Sequence, residues 1–329
     1  MCNKKSAFIS IVIPFYNSGK TITQTIQSLL ANKLDTCELV FVNDGSEDKT
    51  VDIIVSKLSE SGVKYKIIHQ NNSGVSVARN NGVINSNGDF ILFLDSDDVL
   101  LRGAIESIEN LIRQNYRDVS LFEYFKFSKI EYLNNIDSRN FLKELSEKKK
   151  FIKDYLYGNL IKKISVCSCV YSREFLIENK IEFNSKYAFA EDQLFLIDCL
   201  VAGSALYYAN LPVLGYFFNP DSVTSQFNYR RFEAIEIFEG ISKENTALKN
   251  AMNYRINMEL IGICRIFTRD SSLSDSIGFY KNNIKPIWKD VKKEGRITLS
   301  LDYKLFSKFK KFYVLFYKAY SVMKNGKKN

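Results

Sequence analysis

The sequence has few of the residues that build metal cages, disulfides or membrane spans. It contains one histidine, His69, and its six cysteines form no Cys-x-x-Cys pair, so a structural zinc site is not expected. We interpret the cysteines as free thiols in a reducing compartment. No apolar run reaches the roughly 18 residues that a membrane-spanning helix needs. The first residues lead into a predicted strand rather than a signal peptide. Together these absences predict a cytoplasmic protein.

Negative charge is absent from the C-terminal tail, where the positive charge is concentrated. Residues 303–329 hold eight lysines and no acidic residue, which accounts for nearly all of the net charge of +9. The tail also lacks arginine and the rest of the chain is nearly neutral, which argues against nucleic-acid binding. Aromatic residues recur between the lysines at three- and four-residue intervals: Phe306, Phe309, Phe312, Tyr313, Phe316, Tyr317 and Tyr320.

This pattern in the tail has two interpretations. An amphipathic helix with lysines beside an aromatic stripe suits the anionic inner surface of a cell membrane. Alternatively, a terminal helix docks its aromatic residues on the body of the protein and exposes its lysines to water. The sequence leaves both open.

Short apolar runs alternate with polar loops and helix-like stretches in the first hundred residues. The runs predict four strands, at residues 8–13, 38–42, 65–68 and 90–94. Stretches with helical spacing follow at 50–55 and 75–81. This alternation is typical of a doubly wound α/β sheet, in which ligands bind at the carboxyl ends of the parallel strands.

Three carboxylates follow the fourth predicted strand, namely Asp95, Asp97 and Asp98. Carboxylates this close repel one another unless a cation or hydrogen-bond donors compensate them, and oxygen ligands suit Mg²⁺ or Mn²⁺. A solvated turn is the alternative interpretation. The topology places the other strand ends at the same edge, so we expect one crevice that also contains Asn17, Asp44 and Arg79.

The segment from Pro14 to Thr21 offers a competing interpretation. It nearly matches the phosphate-binding loop Gly-x-x-x-x-Gly-Lys-Ser/Thr, with Asp95 as the metal-holding acid of such an NTPase. However, Pro14 replaces the first glycine and offers neither its flexibility nor an N–H group. This alternative also leaves Asp44 and Asp97 without a role. No Gly-x-Gly-x-x-Gly dinucleotide motif follows any of the strands.

Five segments in order resemble the motifs of family 2 glycosyltransferases. They read Ser10-Ile-Val-Ile-Pro-Phe-Tyr-Asn17, Val42-Asn-Asp-Gly-Ser46, Asn72-Ser-Gly-Val-Ser-Val-Ala-Arg-Asn80, Phe93-Leu-Asp-Ser-Asp-Asp98 and Phe189-Ala-Glu-Asp-Gln-Leu-Phe195. The resemblance covers about the first 225 residues. It implies a GT-A fold, a Rossmann-like and mainly parallel sheet flanked by helices. We expect a catalytic domain at 1–225, with a nucleotide-binding half (about 1–100) and an acceptor half (101–225). Residues 226–329 would be a mostly helical extension that ends in the basic aromatic tail.

The resemblance also implies roles for individual residues. Asp97 would ligate Mn²⁺ or Mg²⁺, with Asp95 at the ribose or the metal and Asp98 as a further candidate ligand. Asp44 would read the nucleobase, where a carboxylate can accept the N3–H of uracil. The remaining nucleotide-binding candidates are Pro14, Tyr16, Asn17 and Arg79; an ordinary ion pair at a helix start is the alternative for Arg79.

Asp192 is the expected catalytic base, with Glu191 in support. Their structural alternative is a pair of first-turn acids that complement a helix N-terminus. The sequence departs from the family pattern in two places: Cys167 stands where relatives frequently carry tryptophan, and Phe217 and Phe218 stand in the region where a basic residue is common. The segment Asn219–Thr224, which directly follows these phenylalanines, resembles a loop of the family.

The expected function is therefore metal-dependent, inverting transfer of a sugar from a nucleotide-diphosphate donor, most simply a UDP-sugar. The acceptor would be a glycan or lipid-linked saccharide of capsule, O-antigen or lipooligosaccharide synthesis, reached at the inner membrane surface through the tail. A catalytically inactive sugar-nucleotide-binding protein of the same fold is the alternative from another class, besides the NTPase.

Overall fold

The computed structural model of the chain describes residues 8–114, 117–127, 136–140, 152, 155–157, 163–217, 226–291 and 301–325. The chain folds into two compact units. One comprises residues 1–152 and 161–218, and the other comprises residues 153–160 and 219–329.

One eight-stranded sheet organises the first unit. Its strands are β1 (Ile9–Phe15), β2 (Cys37–Asn43), β3 (Tyr65–His69), β4 (Phe90–Phe93), β5 (Val99–Leu100), β6 (Val119–Phe127), β7 (Cys169–Ser172) and β8 (Leu206–Phe217). The spatial order is β3-β2-β1-β4-β7-β6-β8-β5. β3, β2, β1 and β4 run parallel, whereas β7 pairs antiparallel with both β4 and β6. The α/β expectation is thus confirmed, and the half of the sheet beyond β4 is mixed.

The helices of this unit cover the sheet. They are α1 (Ile22–Leu30), α2 (Thr50–Leu58), α3 (Val75–Ile84), α4 (Ala104–Gln114), α5 (Arg173–Glu178) and α6 (Glu191–Ala202). Every residue of β1, β2 and β4 is buried, which is the pattern of central parallel strands covered on both faces. These strands are rigid supports, and their carboxyl ends hold the loops that carry the predicted site.

The second unit is helical in its described part. Its helices are α7 (Glu233–Glu244), α8 (Lys249–Asp270), α9 (Leu273–Phe279) and α10 (Leu301–Asn325). No helix in the described ranges combines the length and the apolar character needed to cross a membrane.

The tail helix α10 docks part of its aromatic stripe within this unit. Phe306 is fully buried and stacks on Trp288, with the ring centroids 5.0 Å apart. Tyr303 stacks on the same indole at 5.8 Å, and the Tyr313 hydroxyl meets the Arg265 guanidinium. The docking interpretation of the tail therefore holds for these three aromatic residues.

Candidate active site

A cleft of about 580 Å³ opens where β1, β2 and β4 end. Seven of the ten residues predicted from the sequence line it together: Pro14, Tyr16, Asn17, Asp44, Arg79, Asp95 and Asp97. The other three, Asp98, Glu191 and Asp192, are not among its lining residues. The position of the cleft follows from the topology, because parallel strands deliver their carboxyl-terminal loops to one edge.

Asp44, just after β2, is held by three hydrogen bonds. The Gln70 side chain and the Ser73 amide donate to its Oδ1, each at 2.8 Å, and the Gly74 amide donates to its Oδ2 at 2.9 Å. Gly74 has φ +89°, a conformation that strains residues with a side chain. A carboxylate offers about four acceptor positions, so Oδ2 can still accept one hydrogen bond from a ligand.

Asn17 organises the cleft rim through its side-chain oxygen and its backbone. Its Oδ1 accepts hydrogen bonds from the Glu47 and Asp48 backbone amides, at 2.9 and 3.3 Å, and its backbone N–H donates to Ser46 Oγ at 3.0 Å. The φ of +48° is one that asparagine tolerates. The neighbouring Tyr16 is 51% exposed, so its ring is free to pack against a planar ligand.

The acids after β4 occupy three different environments. Asp95 forms an ion pair with Arg79 at 2.8 Å. Asp98 is buried, and its Oδ1 accepts a hydrogen bond from the Phe217 amide at 2.9 Å. Asp97 faces the cleft, and none of the described residues donates a side-chain hydrogen bond to it. The surrounding protein and the Asp95 charge raise the pKa of Asp97 to about 6.

The carboxylate of Asp97 is placed so that it could bind a metal ion together with a substrate. This carboxylate is repelled by Asp95 and forms no ion pair with any described residue, so a divalent cation would relieve the repulsion. Within the described ranges, no group of three or more histidine, cysteine or acidic residues is arranged as a metal cage. Mg²⁺ is commonly held by one or two carboxylates together with substrate phosphates, and Asp97 with Asp95 fits that arrangement.

Arg79, on α3, connects the cleft to a second group of acids. It is 4% exposed, and it pairs with Asp95 on one side and with Glu191 on the other, at 3.5 Å. Its guanidinium also lies 5.0 Å from the centre of the Phe183 ring. Arg79 therefore contacts the cleft acid Asp95 and the helix-start acid Glu191 at the same time, and its burial holds it in that position.

Glu191 and Asp192 begin helix α6. The residue before them, Ala190, has φ +62°, an uncommon conformation for alanine that marks a tight turn. Asp192 Oδ1 accepts a hydrogen bond from the Gln193 amide at 2.7 Å. Burial raises the pKa values of both acids, and the Arg79 charge partly opposes this rise. Asp192 is thus a stronger base than a solvated aspartate.

The departure at Cys167 also falls beside this site. The side chain is 1% exposed. Burial and the neighbouring Asp95 carboxylate raise the pKa of its thiol well above the usual value, and the protonated thiol hydrogen-bonds to Asp95. A small thiol therefore stands against the acid, at the position where the family resemblance leads us to expect tryptophan. Phe218 and the Asn219–Thr224 loop lie outside the described residues.

Sequence reasoning missed several lining residues, among them Lys20 and Ser96. Lys20 appeared only in the phosphate-loop motif, which was rejected on Pro14. The structure supplies a further reason against that motif: the Gly19 amide donates to the Asp48 carboxylate at 2.9 Å. A side chain thus already uses a loop amide that a phosphate cradle would need. Lys20 nevertheless provides an exposed cation at the cleft.

Fold and site define an α/β protein with an acidic ligand cleft at the edge of its parallel strands. The model of glycosyl transferase family 2 matches residues 10–179, just over half of the chain. The chain therefore belongs to this family, which sets aside the NTPase alternative. A curated relative, the poly(ribitol-phosphate) beta-N-acetylglucosaminyltransferase TarP of Staphylococcus aureus (strain N315), is 30% identical over 196 residues. That match covers 59% of this chain and 57% of TarP, so little more than half of the relative is represented.

Solved structures confirm the GT-A fold. S. aureus TarS 1–349 in complex with UDP-GlcNAc superposes with a TM-score of 0.60 at 20% identity, over 85% of this chain and 78% of that one. The mannosyltransferase PcManGT from Pyrobaculum calidifontis, in complex with GDP-Man and Mn²⁺, gives 0.56 at 11% identity, over 95% and 86%. At these identities the likeness establishes the fold alone.

Proposed function

We propose that this glycosyltransferase moves a sugar from a UDP-sugar to a saccharide acceptor with inversion, in a reaction that depends on Mn²⁺ or Mg²⁺. The observation that carries the proposal is the Arg79 bridge. It joins Asp95, in the cleft, to Glu191, the neighbour of the proposed base. A single buried side chain thus connects the donor side of the site to the acceptor side.

Two kinds of observation support a UDP-sugar as the donor: the residues that line the cleft, and the names of similar proteins. Asp44 keeps one free acceptor position at the cleft, which suits the N3–H of uracil, and Tyr16 offers an exposed ring for the base. TarP is named an N-acetylglucosaminyltransferase, and TarS was solved with UDP-GlcNAc. We therefore propose UDP-GlcNAc as the first donor to test.

Asp97, with Asp95, would hold the cation. When bound, the cation would neutralise charge on the departing diphosphate. PcManGT, solved with Mn²⁺, has the same fold, and Asp97 has the uncompensated charge that such an ion needs. Asp98 is left out of this assignment because its carboxylate accepts the Phe217 amide.

Asp192 would act as the general base. The acceptor hydroxyl oxygen attacks the anomeric carbon, its proton passes to Asp192, and the bond from that carbon to the diphosphate oxygen breaks. The raised pKa of Asp192 improves the match between base and alcohol. Arg79 fixes Glu191, and through it the start of helix α6, while it holds Asp95 with its other nitrogen. Geometry of this kind supplies the orientation that in-line attack requires.

The exposed side of the tail helix α10 supports a membrane-proximal acceptor. Leu305, Phe309 and Tyr320 are 39%, 47% and 54% exposed, respectively, and Lys304 and Lys308 are exposed on the same helix. We propose that this side contacts anionic lipid near a lipid-linked acceptor. Deleting the tail is a poor test because it would remove the buried Phe306. The double variant Lys304→Gln/Lys308→Gln should instead reduce binding to vesicles with phosphatidylglycerol, and undiminished binding would refute the proposal.

The catalytic proposal is tested by separating binding from turnover in Asp192→Asn. UDP-GlcNAc binding is measured by calorimetry with Mn²⁺, and UDP release is measured with and without a panel of saccharide acceptors. We expect the variant to bind within about threefold of the wild type and to release UDP at least 10²-fold more slowly, the usual size of a lost general base. Equal turnover in both proteins would point to a different base, whereas retained binding with no turnover in the wild type would favour the inactive sugar-nucleotide-binding alternative.

A further inference from the structure

Three side chains on strands β6 and β8 form a group that the proposed donor site does not use. Lys126 pairs with Tyr216 in the register of the two strands. Tyr124 lies two residues before Lys126 and therefore points to the same side of the sheet. The Tyr124 and Tyr216 rings are 5.7 Å apart, centre to centre. We call these three residues the tyrosine-lysine platform.

The Lys126 ammonium is held by the two rings rather than by an acid. Its Nζ lies 5.9 Å from the centre of the Tyr124 ring and 5.7 Å from that of Tyr216, within the range of cation–π attraction. The side chain is exposed, and no ion pair joins it to another described residue. Lys163 differs, since it pairs with Glu123 at 3.3 Å. Among the described residues, the platform therefore holds a cation that no acid neutralises by an ion pair.

The platform lies next to the acids that follow β4, because Tyr216 directly precedes Phe217, whose backbone amide donates to Asp98 Oδ1 at 2.9 Å. Burial raises the pKa of Tyr124, and the charge of Asp192 adds to the rise. Burial likewise raises the pKa of Tyr216 to about 12, together with the charges of Asp98, Asp97 and Asp95. Both phenols thus keep their protons at neutral pH and can donate hydrogen bonds. An incoming acceptor hydroxyl must approach the proposed base Asp192, whose charge acts on Tyr124, so we expect other atoms of the acceptor to contact these rings.

The chemistry of the platform suits one class of acceptor. Aromatic faces pack against the apolar C–H faces of sugars and polyols, and phenol groups hydrogen-bond to their hydroxyls. A neutral saccharide needs no cation, whereas an anionic one must approach several carboxylates and would be repelled without one. An exposed lysine between the rings offsets that repulsion.

We infer that the tyrosine-lysine platform is the acceptor subsite and that it selects a saccharide or polyol bearing an anionic group, a phosphate or a carboxylate. Lys126 meets the anionic group, and the two tyrosines hold the carbon skeleton beside Asp192. The inference rests on the proposed function, because it places the acceptor relative to the proposed base.

The test compares matched neutral and anionic probes on the full-length protein with UDP and Mn²⁺ present. Glucose is compared with glucose 6-phosphate, and methyl glucoside with methyl glucuronide, by saturation-transfer NMR titration. We expect each anionic probe to bind at least tenfold more tightly than its neutral partner. If only the phosphate or only the carboxylate shows the gain, that result identifies the group recognised.

Substitutions show which residues cause the tighter binding of the anionic probes. Lys126→Gln should erase the preference for the anionic probe, Lys126→Arg should retain it, and the matched control Lys163→Gln should leave it unchanged. Tyr216→Ala should weaken neutral and anionic probes alike, and Tyr216→Phe should retain most of the binding. Thermal unfolding verifies that each variant is folded.

Equal affinity for the members of each pair would overturn the inference, and so would the absence of binding by either anionic probe. A preference for anions that survives in Lys126→Gln would overturn it as well. UDP binding, measured in the same samples, separates this failure from failure of the proposed function. Retained UDP binding would confine the failure to the acceptor subsite, whereas absent UDP binding in the wild type would contradict the donor proposal itself.

Discussion

Replacing Asp97 by asparagine should stabilise the protein in the absence of ligands and abolish its response to metal. The side chain keeps its size but loses the charge that Asp95 repels. The pKa of Asp97 is about 6 in the fold, against about 3.9 for an unperturbed aspartate. The folded state therefore disfavours the ionised form, and asparagine removes this cost.

The size of the effect follows from the pKa difference. One pKa unit corresponds to about 1.4 kcal/mol, so ionising Asp97 at pH 7 costs the fold at most about 3 kcal/mol. Asp97 is exposed on the cleft side, and solvent screening reduces this figure. We expect about 1–1.5 kcal/mol, or a rise in the unfolding midpoint of about 2–4 °C.

The pH dependence determines whether Asp97→Asn is more or less stable than the wild type. A carboxyl group whose folded pKa is raised destabilises the fold when it is ionised, so the destabilisation contributed by Asp97 disappears as the pH falls from 7 through 6 towards 4. Asparagine does not titrate. The variant should therefore be more stable than the wild type at pH 7, and the difference should vanish near pH 4.

The assay is thermal unfolding in EDTA at pH 7 and pH 4.5, and again at pH 7 with UDP and Mn²⁺. Asp89→Asn is the matched control because Asp89 is an exposed acid at the opposite end of β4; its effect should stay within about 0.5 kcal/mol. The reasoning is refuted if Asp97→Asn lowers the midpoint in EDTA at pH 7. Equal stabilisation of variant and wild type by Mn²⁺ with UDP would refute the assignment of the metal.

Three further predictions concern the same cleft. Arg79→Lys replaces two guanidinium nitrogens, one on each acid, by a single nitrogen on a different stem, so turnover should fall at least tenfold while the affinity for UDP changes less than threefold; a parallel loss of both would contradict the bridging role. Tyr16→Ala should weaken UDP binding by about 1–2 kcal/mol in calorimetry, whereas Tyr16→Phe should not, and unchanged affinity in the alanine variant would remove the stacking role. Mn²⁺-dependent UDP binding should fall about tenfold per pH unit below pH 6, because protonated Asp97 cannot ligate the metal; a flat profile between pH 5 and 7 would exclude Asp97 as the ligand.

Local sequence patterns predicted the parallel half of the sheet well. The apolar runs at 38–42 and 90–94 became strands Cys37–Asn43 and Phe90–Phe93, because a strand covered on both faces must be apolar at every position. The helix predicted at 75–81 became Val75–Ile84. The polar residues that follow these elements line the cleft, because parallel strands bring their carboxyl ends to the same edge of the sheet.

Local sequence patterns did not predict the mixed half of the sheet. β7 has four residues and lies between β4 and β6, which are far from it in the sequence. Pairing of this kind depends on register and tertiary contacts rather than on local pattern. For the same reason the tyrosine-lysine platform could not be read from the sequence: Lys126 and Tyr216 are neighbours only through the pairing of β6 with β8.

The environment of each acid also depends on the fold. Three aspartates that look alike in sequence differ in space: Asp95 pairs with Arg79, Asp98 accepts a backbone amide, and Asp97 faces the cleft. Spacing identifies a cluster of carboxylates, but hydrogen-bond partners and burial decide which of them stays available to a ligand.

The central claim, a UDP-sugar site that uses a metal at Asp97, is tested most directly by thermal stabilisation with UDP, GDP, dTDP and ATP, each with Mn²⁺ and with EDTA. A ligand that binds the folded state raises the unfolding midpoint. The account predicts that UDP gives the largest shift and that EDTA removes it. A shift with ATP alone, or a UDP shift that EDTA leaves unchanged, would contradict it.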